Sequence, residues 1–324
     1  MLAGLPDMDL GRGWILKKVL ITQKLLASCE ESLEKRFDVF RLYEQQDREQ
    51  FLKKTGPEIK AIAGWRVDAG LMDKLPNLKM IANFGVGYDG IDIKEAKKRA
   101  IMVTNTPDVL NDAMAEMAVG LMIALCRRLP AADAYVRTGK WAKKGSFPLQ
   151  TELTGKTLGI VGLGRIGKEI ALRCQAMKMR VVYFGRNKQT SQPYVYYDDL
   201  VEMAKKSDWL VVATPGGSET EKLVDQKVLA ALGPNGNLVN MARGTVVDQA
   251  ALVLMLQSGG IGGAALDVFE DEPNVPDELI KLENVVLSPH QGSATDQTRF
   301  AMGQLVVDNL AAFFAKEPLL TRVV

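Results

Sequence analysis

The only histidine in the chain, His290, stands in Ser288-Pro-His-Gln-Gly292, directly after the apolar run Val285–Leu287. Imidazole is the side chain suited to giving and taking a proton near neutrality. Arg243, in Met241-Ala-Arg-Gly244, also follows an apolar run and offers a planar fork that can grip a carboxylate with two parallel hydrogen bonds. Glu272 ends the acidic stretch Asp267-Val-Phe-Glu-Asp-Glu272, just before Pro273. Hydrogen-bonded to His290, it would stabilise the imidazolium and fix its tautomer. A proton donor, a cation for a carboxylate and an acid behind the donor are what reduction of a 2-oxo acid by hydride asks of a protein. Taken singly, the three have plainer readings as a structural histidine, a surface ion pair and a solvated acidic loop. Their common placement just past strand-like runs favours the chemical reading.

Hydride chemistry needs a carrier such as a nicotinamide, and a dinucleotide site is written in Thr157-Leu-Gly-Ile-Val161-Gly162-Leu-Gly164-Arg-Ile-Gly167. An apolar run too short for a helix leads into glycines spaced G-x-G-x-x-G, and a helical pattern follows, which reads as strand, tight turn, helix. Gly162 makes the turn, Gly164 lets the backbone approach a pyrophosphate, and Gly167 lets the helix pack against the strand. The free N–H groups and positive dipole end of the helix then face the anion. With 29 glycines in 324 residues the spacing alone is weak; its position between strand and helix makes it specific.

In such domains an acid at the end of the second strand accepts the ribose 2′-hydroxyl of NAD, and an arginine there receives the 2′-phosphate of NADP. No Asp or Glu occurs from Ile170 to Tyr197, and the strand Arg180–Phe184 runs into Gly185-Arg186-Asn187-Lys188. Arg186, with Asn187 and Lys188 beside it, points to NADP(H). Asp267 closes its own strand where it would contact the nicotinamide side of the cofactor.

The elements that must position these groups follow a β/α rhythm. Lys18–Ile21, Phe37–Phe40, Ile59–Ile62 and Leu78–Ala82 are short apolar runs between polar helical patterns, which predicts a mostly parallel sheet. After it comes Phe84-Gly-Val-Gly-Tyr-Asp89, a glycine-rich loop whose Val86 and Gly87 amides could hold a carboxylate. A long helix is expected over Asp112–Arg128, and Lys140–Gly155 is expected to be an exposed arm that makes a subunit contact. Six strands follow from Leu158, at Arg180–Phe184, Trp209–Ala213, Asn237–Met241, Gly263–Val268 and Asn284–Ser288. A last helix over about residues 295–314 returns to the first domain. The fold class is thus α/β: two Rossmann-like domains with parallel sheets and a cleft between them. Residues 1–104 and 293–324 form a substrate-binding, flavodoxin-like domain, and 105–292 the dinucleotide domain.

Composition narrows the class further. A net charge of +2, with basic residues scattered, gives no sign of nucleic acid or membrane as a partner. The cysteines Cys29, Cys126 and Cys174 lack metal-ligand or C-x-x-C spacing, so no metal is expected and a reducing cytoplasm fits. Residues 1–14 look poorly ordered and carry no signal peptide. Nothing after Leu320 suggests a regulatory domain.

Taken together, these motifs resemble the D-isomer-specific 2-hydroxyacid dehydrogenase family from about Asn83 to Phe314. The resemblance rests on Val86-Gly-Tyr-Asp89, Asn105-Thr-Pro107, the glycine turn, Ala242-Arg-Gly244, Leu266-Asp-Val-Phe269 with Glu272-Pro273, and Pro289-His-Gln-Gly-Ser293. It implies that the family's catalytic arginine, glutamate and histidine are Arg243, Glu272 and His290, with Val86 and Gly87 at the substrate carboxylate. It implies cofactor contacts at Leu163, Gly164, Arg165, Ile166, Arg186, Pro215, Met241, Asp267 and Gly292. A small 2-oxo acid substrate, a D-hydroxy acid product and a homodimer are further expectations from it. Gln291 departs from the isoleucine that often follows the family's histidine. Thr214-Pro-Gly-Gly217 resembles the NADPH-dependent glyoxylate, hydroxypyruvate and hydroxyphenylpyruvate reductase subgroup. Glu272 disfavours a formate dehydrogenase, which carries glutamine there. Reduction of 2-ketogluconate or aryl pyruvates, and a dinucleotide sensor without turnover, stay open as alternatives.

Overall fold

A computed structural model describes residues 17–324. The expectation of a poorly ordered start falls outside the described residues. The chain divides into two compact units, the first running through Thr106 and resuming at Phe300, the second spanning Pro107–Arg299. These divisions fall two and seven residues later than the sequence suggested. At the second one the chain is a single unbroken helix, Asp296–Ala315, with no change of composition to mark the transition.

In the first unit the strands are β1 (Lys18–Ile21), β2 (Asp38–Arg41), β3 (Ala61–Gly64), β4 (Met80–Asn83) and β5 (Met102–Thr104). They form one parallel sheet in the order β2-β1-β3-β4-β5, the flavodoxin-like order. β3 and β4 are buried along their whole length, which is why they read as continuous apolar runs without alternation. β3 starts two residues later than expected because Gly56–Glu58, with Pro57 in it, is a 3-10 turn that occupies the preceding chain. Asp47, Asp68 and Asp92 start the intervening helices by accepting the amides of Gln50, Leu71 and Glu95, so the polar residues between strands punctuate the fold.

The second unit carries β6 (Thr157–Val161), β7 (Arg180–Phe184), β8 (Val195–Tyr197), β9 (Trp209–Val212), β10 (Asn237–Asn240), β11 (Gly263–Leu266) and β12 (Val285–Leu287). All are parallel in the order β12-β11-β10-β9-β6-β7-β8, a doubly wound sheet that reverses direction between β6 and β9. Alternate residues serve opposite faces: Val161, Leu210, Val212 and Leu238 pack on one side, and Leu158, Ile160, Val211 and Val239 on the other. Because every strand runs the same way, every loop that follows a strand emerges at one edge. In open α/β sheets, ligands bind at that edge, beside the point of reversal.

Three expectations need correction here. The sheet has seven strands, not six; β8 is a three-residue edge strand, only partly buried, too short to show a pattern. The arm beyond Lys140 opens with a helix, Lys140–Lys144, bounded by Gly139 and Gly145 at positive φ of 68° and 80°. The long helix runs Asn111–Cys126 and stops before Arg128, which adopts a left-handed φ of 48°.

Candidate active site

The glycine turn has the geometry its spacing calls for. Gly162 has a φ of +98°, and a β-carbon there would lie 2.9 Å from the Thr214 backbone, in the loop after β9. A β-carbon on Gly167 would lie 2.3 Å from the Gly162 carbonyl oxygen, so the helix Arg165–Ala176 seats against the turn only because that position is bare. Gly164 differs from both: its φ of −79° suits any residue, and nothing lies within 4 Å of a β-carbon built there. It caps the helix with no side-chain hydrogen bond, so the first-turn amides are left for an anion. An open cradle over an uncapped helix start fits a dinucleotide pyrophosphate, with Leu163, Arg165 and Ile166 around it.

Arg186, Asn187 and Lys188 are exposed on the loop after β7. The absence of acids in the local sequence does not leave Arg186 alone: Glu219, from the loop after β9, places Oε2 at 3.7 Å from Nη1. With the side chains 86% and 81% exposed, this contact is weakly held and easily displaced. Pro215 lies in the same loop, its carbonyl accepting the Thr220 hydroxyl at 2.7 Å.

Arg243, Glu272 and His290 come from the loops after β10, β11 and β12, three neighbouring strands. His290 Nδ1 lies 2.7 Å from Glu272 Oε2, which leaves Nε2 on the far side of the ring for a substrate oxygen. The other carboxylate oxygen, Oε1, accepts the Phe269 amide at 3.1 Å. Burial pushes the Glu272 carboxyl up. The His290 hydrogen bond and charge, the Phe269 amide and the Arg243 charge together outweigh it and hold the carboxyl below its ordinary value. Gly244 joins the loops: a β-carbon there would lie 1.9 Å from the Phe269 carbonyl carbon, so the Arg243 turn is pressed against the segment that leads to Glu272. Arg243 Nη1 donates to the Ala242 carbonyl at 2.8 Å, which fixes the start of its fork.

Two buried side chains that sequence reasoning did not single out for this work set the loops. Asn240 closes β10; its Nδ2 donates to the Arg243 carbonyl at 3.0 Å and its Oδ1 accepts the Ala242 amide at 3.1 Å. Asp267, 1% exposed, was expected to face the cofactor; its carboxylate is engaged with the histidine loop. Oδ1 accepts the Ser288 hydroxyl and the Gln291 amide at 2.9 Å, and Oδ2 accepts the Gly292 amide at 2.8 Å. The His290 amide donates to the Asp267 carbonyl at 2.8 Å. These bonds hold His290 at a φ of +51°, a conformation that costs a non-glycine residue about 1–3 kcal/mol and persists only where its surroundings fix it. A β-carbon on Gly292 would lie 2.7 Å from the Met114 sulfur and 2.9 Å from Met241 Cε, so that turn closes over both methionines.

Val86 and Gly87 belong to the first unit and are shaped by two asparagines. Asn83 donates to the carbonyls of Gly85 and Gly87, both at 2.9 Å, and Asn105 donates to the Val86 carbonyl at 2.9 Å. With three successive carbonyls drawn inward, the intervening amides are presented as donors, the polarity a carboxylate needs. Trp65 and Phe84 lie together beside this loop, ring centroids 6.1 Å apart. A lone asparagine closing an apolar run, as at Asn83 and Asn240, is the sequence signal for such anchors. Among the described residues no His, Cys, Asp and Glu cluster could hold a metal ion, and no helix is long and apolar enough to cross a membrane.

Sheet order, glycine turn and loop chemistry together define a dinucleotide-dependent oxidoreductase. The chain belongs to the D-isomer specific 2-hydroxyacid dehydrogenases, residues 119–292 matching that family's NAD-binding domain. It is 47% identical over 309 residues to glyoxylate/hydroxypyruvate reductase A of Arabidopsis thaliana, covering 94% of this chain and 98% of that one. Hydroxyphenylpyruvate reductase of Plectranthus scutellarioides is 46% identical over the same shares. Among solved structures, NADPH-dependent glyoxylate/hydroxypyruvate reductase of Sinorhizobium meliloti, in complex with NADP and malonate, superposes with a TM-score of 0.91. It is 44% identical and covers 95% of this chain and 96% of that chain.

Proposed function

We propose that this chain reduces a small 2-oxo acid, glyoxylate or hydroxypyruvate foremost, to the D-2-hydroxy acid with NADPH, His290 acting as general acid. The observation that carries the reading is the 2.7 Å pair between His290 Nδ1 and Glu272. A carboxylate at Nδ1 fixes the tautomer, steadies the imidazolium and directs Nε2–H at the developing alkoxide. When bound, the nicotinamide supplies the hydride to the substrate's carbonyl carbon. Arg243 binds the substrate carboxylate through its fork and draws electron density from the adjoining carbonyl. The second unit is read as the dinucleotide domain, with Leu163 to Ile166 at the pyrophosphate, Arg186 and Lys188 at the 2′-phosphate, and Pro215, Met241 and Gly292 along the nicotinamide half. The first unit is read as the substrate domain, its Val86 and Gly87 amides suited to a carboxylate.

A homodimer is part of the proposal. The segment after Arg128 exposes Leu129, Val136, Trp141 and Leu149, the last completely, more apolar surface than a solvated arm requires. Three buried free thiols suit a reducing compartment.

NADPH absorbance followed with glyoxylate, hydroxypyruvate, hydroxyphenylpyruvate and 2-ketogluconate tests the reading. Fastest turnover on the two smallest acids is expected. Preference for the aryl acid or the sugar acid reassigns the substrate, and turnover on none replaces the enzyme with a dinucleotide-binding role.

A further inference from the structure

Hydrogen bonds join the glycine turn to the loop that bears Arg186, and the mechanism above makes no use of them. Gln189, half-buried just after Lys188, donates its side-chain amide to the Leu163 carbonyl at 2.7 Å. Its backbone N–H donates to the Tyr183 hydroxyl at 2.7 Å, and Tyr183, on β7, is 1% exposed. At the loop's other end the Tyr196 hydroxyl, from β8, donates to the Gly185 carbonyl at 3.1 Å, and the two tyrosine rings lie 5.3 Å apart. Gly185–Gln189 is therefore held at both ends by a tyrosine pair, while Arg186, Asn187 and Lys188 between them stay exposed.

The bond to Leu163 also reaches the turn. Across a trans peptide the carbonyl of one residue and the N–H of the next point in opposite directions. Anchoring the Leu163 oxygen on Gln189 therefore ties the plane of the Leu163–Gly164 peptide to the Arg186 loop, and with it where that loop sits against the turn. Arg186 has a long, exposed side chain whose guanidinium meets Glu219 at 3.7 Å, too loosely to fix its position. Its reach must then be set by the backbone beneath it, because ordering a loose loop on binding weakens a ligand's hold.

We propose that Gln189 is a positioning residue for cofactor specificity, registering the Arg186–Lys188 loop against the glycine turn. A dinucleotide anchored by its pyrophosphate then meets the Arg186 guanidinium with its 2′-phosphate. This rests on the NADPH reading above.

Dissociation constants for NADPH and NADH, from tryptophan fluorescence quenching, and for 2′,5′-ADP and 5′-AMP, by competition, test it on the full-length protein. A neutral hydrogen bond sets the scale: Gln189→Leu should weaken NADPH and 2′,5′-ADP by about 3- to 10-fold, and NADH and 5′-AMP by less than about twofold. The rate at saturating NADPH should hold. Tyr183→Phe, which keeps the core ring and removes only the acceptor, should shift the same ratio in the same direction. Equal weakening of both members of each pair, or none, overturns the proposal and leaves Gln189 a structural residue. Arg186→Ala separates the two ideas: if it leaves the preference for the 2′-phosphate unchanged, the NADPH reading fails and this one with it. If Arg186→Ala abolishes the preference while Gln189→Leu and Tyr183→Phe preserve it, this proposal alone fails.

Discussion

Asp267→Asn separates holding the histidine loop from touching the cofactor. The carboxylate accepts at both oxygens: Ser288 and Gln291 at Oδ1, Gly292 at Oδ2. An amide keeps one acceptor oxygen and turns the other into a donor. In the better orientation Oδ1 stays with Ser288 and Gln291, and the new NH₂ faces the Gly292 N–H, donor against donor. The alternative sets it against two donors. The variant loses one hydrogen bond to a charged acceptor, about 1.5–3 kcal/mol, and strands a buried N–H at about 1–3 kcal/mol. Because the two overlap, a loss of about 2–4 kcal/mol in the stability of the second unit is expected. Urea unfolding followed by tryptophan fluorescence reads it. With the loop slackened, His290 leaves its strained φ, so kcat should fall more than NADPH affinity does. Wild-type stability with weakened NADPH binding would show that Asp267 acts by direct cofactor contact and that the loop argument is wrong.

Gly164→Ala should fold normally and lose dinucleotide affinity, since its methyl enters open space over the helix start, whereas Gly167→Ala should destabilise the protein through its 2.3 Å overlap with the Gly162 carbonyl; melting curves and NADPH titrations of both variants check this. Arg243→Lys replaces a fork with a point charge and should raise KM for glyoxylate by about 10- to 100-fold, on the scale of a hydrogen bond to a charged group; an unchanged KM reassigns carboxylate binding. The folded Glu272 carboxyl titrates below its ordinary value of 4.5, so the unfolded chain binds that proton at higher pH. Its contribution to stability is full above that value and fades as pH falls through the lower folded one. Glu272→Gln should flatten the acid side of the stability profile, and an unaltered slope contradicts the pairing.

The strands were legible because a parallel strand covered on both faces needs a continuous apolar run, and such runs mark β1, β4, β6, β9 and β10. The turn at Gly162 and the close packing at Gly167 were legible because each depends on local backbone geometry. β8 was not, since three edge residues, one exposed and two half-buried, impose no pattern. Glu219 beside Arg186 and the turning of Asp267 toward Ser288–Gly292 were also hidden. Each joins loops that follow different strands, and only the order of strands in the sheet makes them neighbours. The type and spacing of residues revealed which chemistry was present; which side chains hold it in place required the fold.

His290→Asn tests the central claim most directly, because asparagine accepts the left-handed backbone at this position and keeps the loop, but cannot serve as the acid. With NADPH and glyoxylate at saturation, kcat should fall about 10²- to 10⁴-fold while the NADPH dissociation constant stays within about twofold of wild type. A kcat within about threefold of wild type would remove His290 from proton transfer and contradict the account.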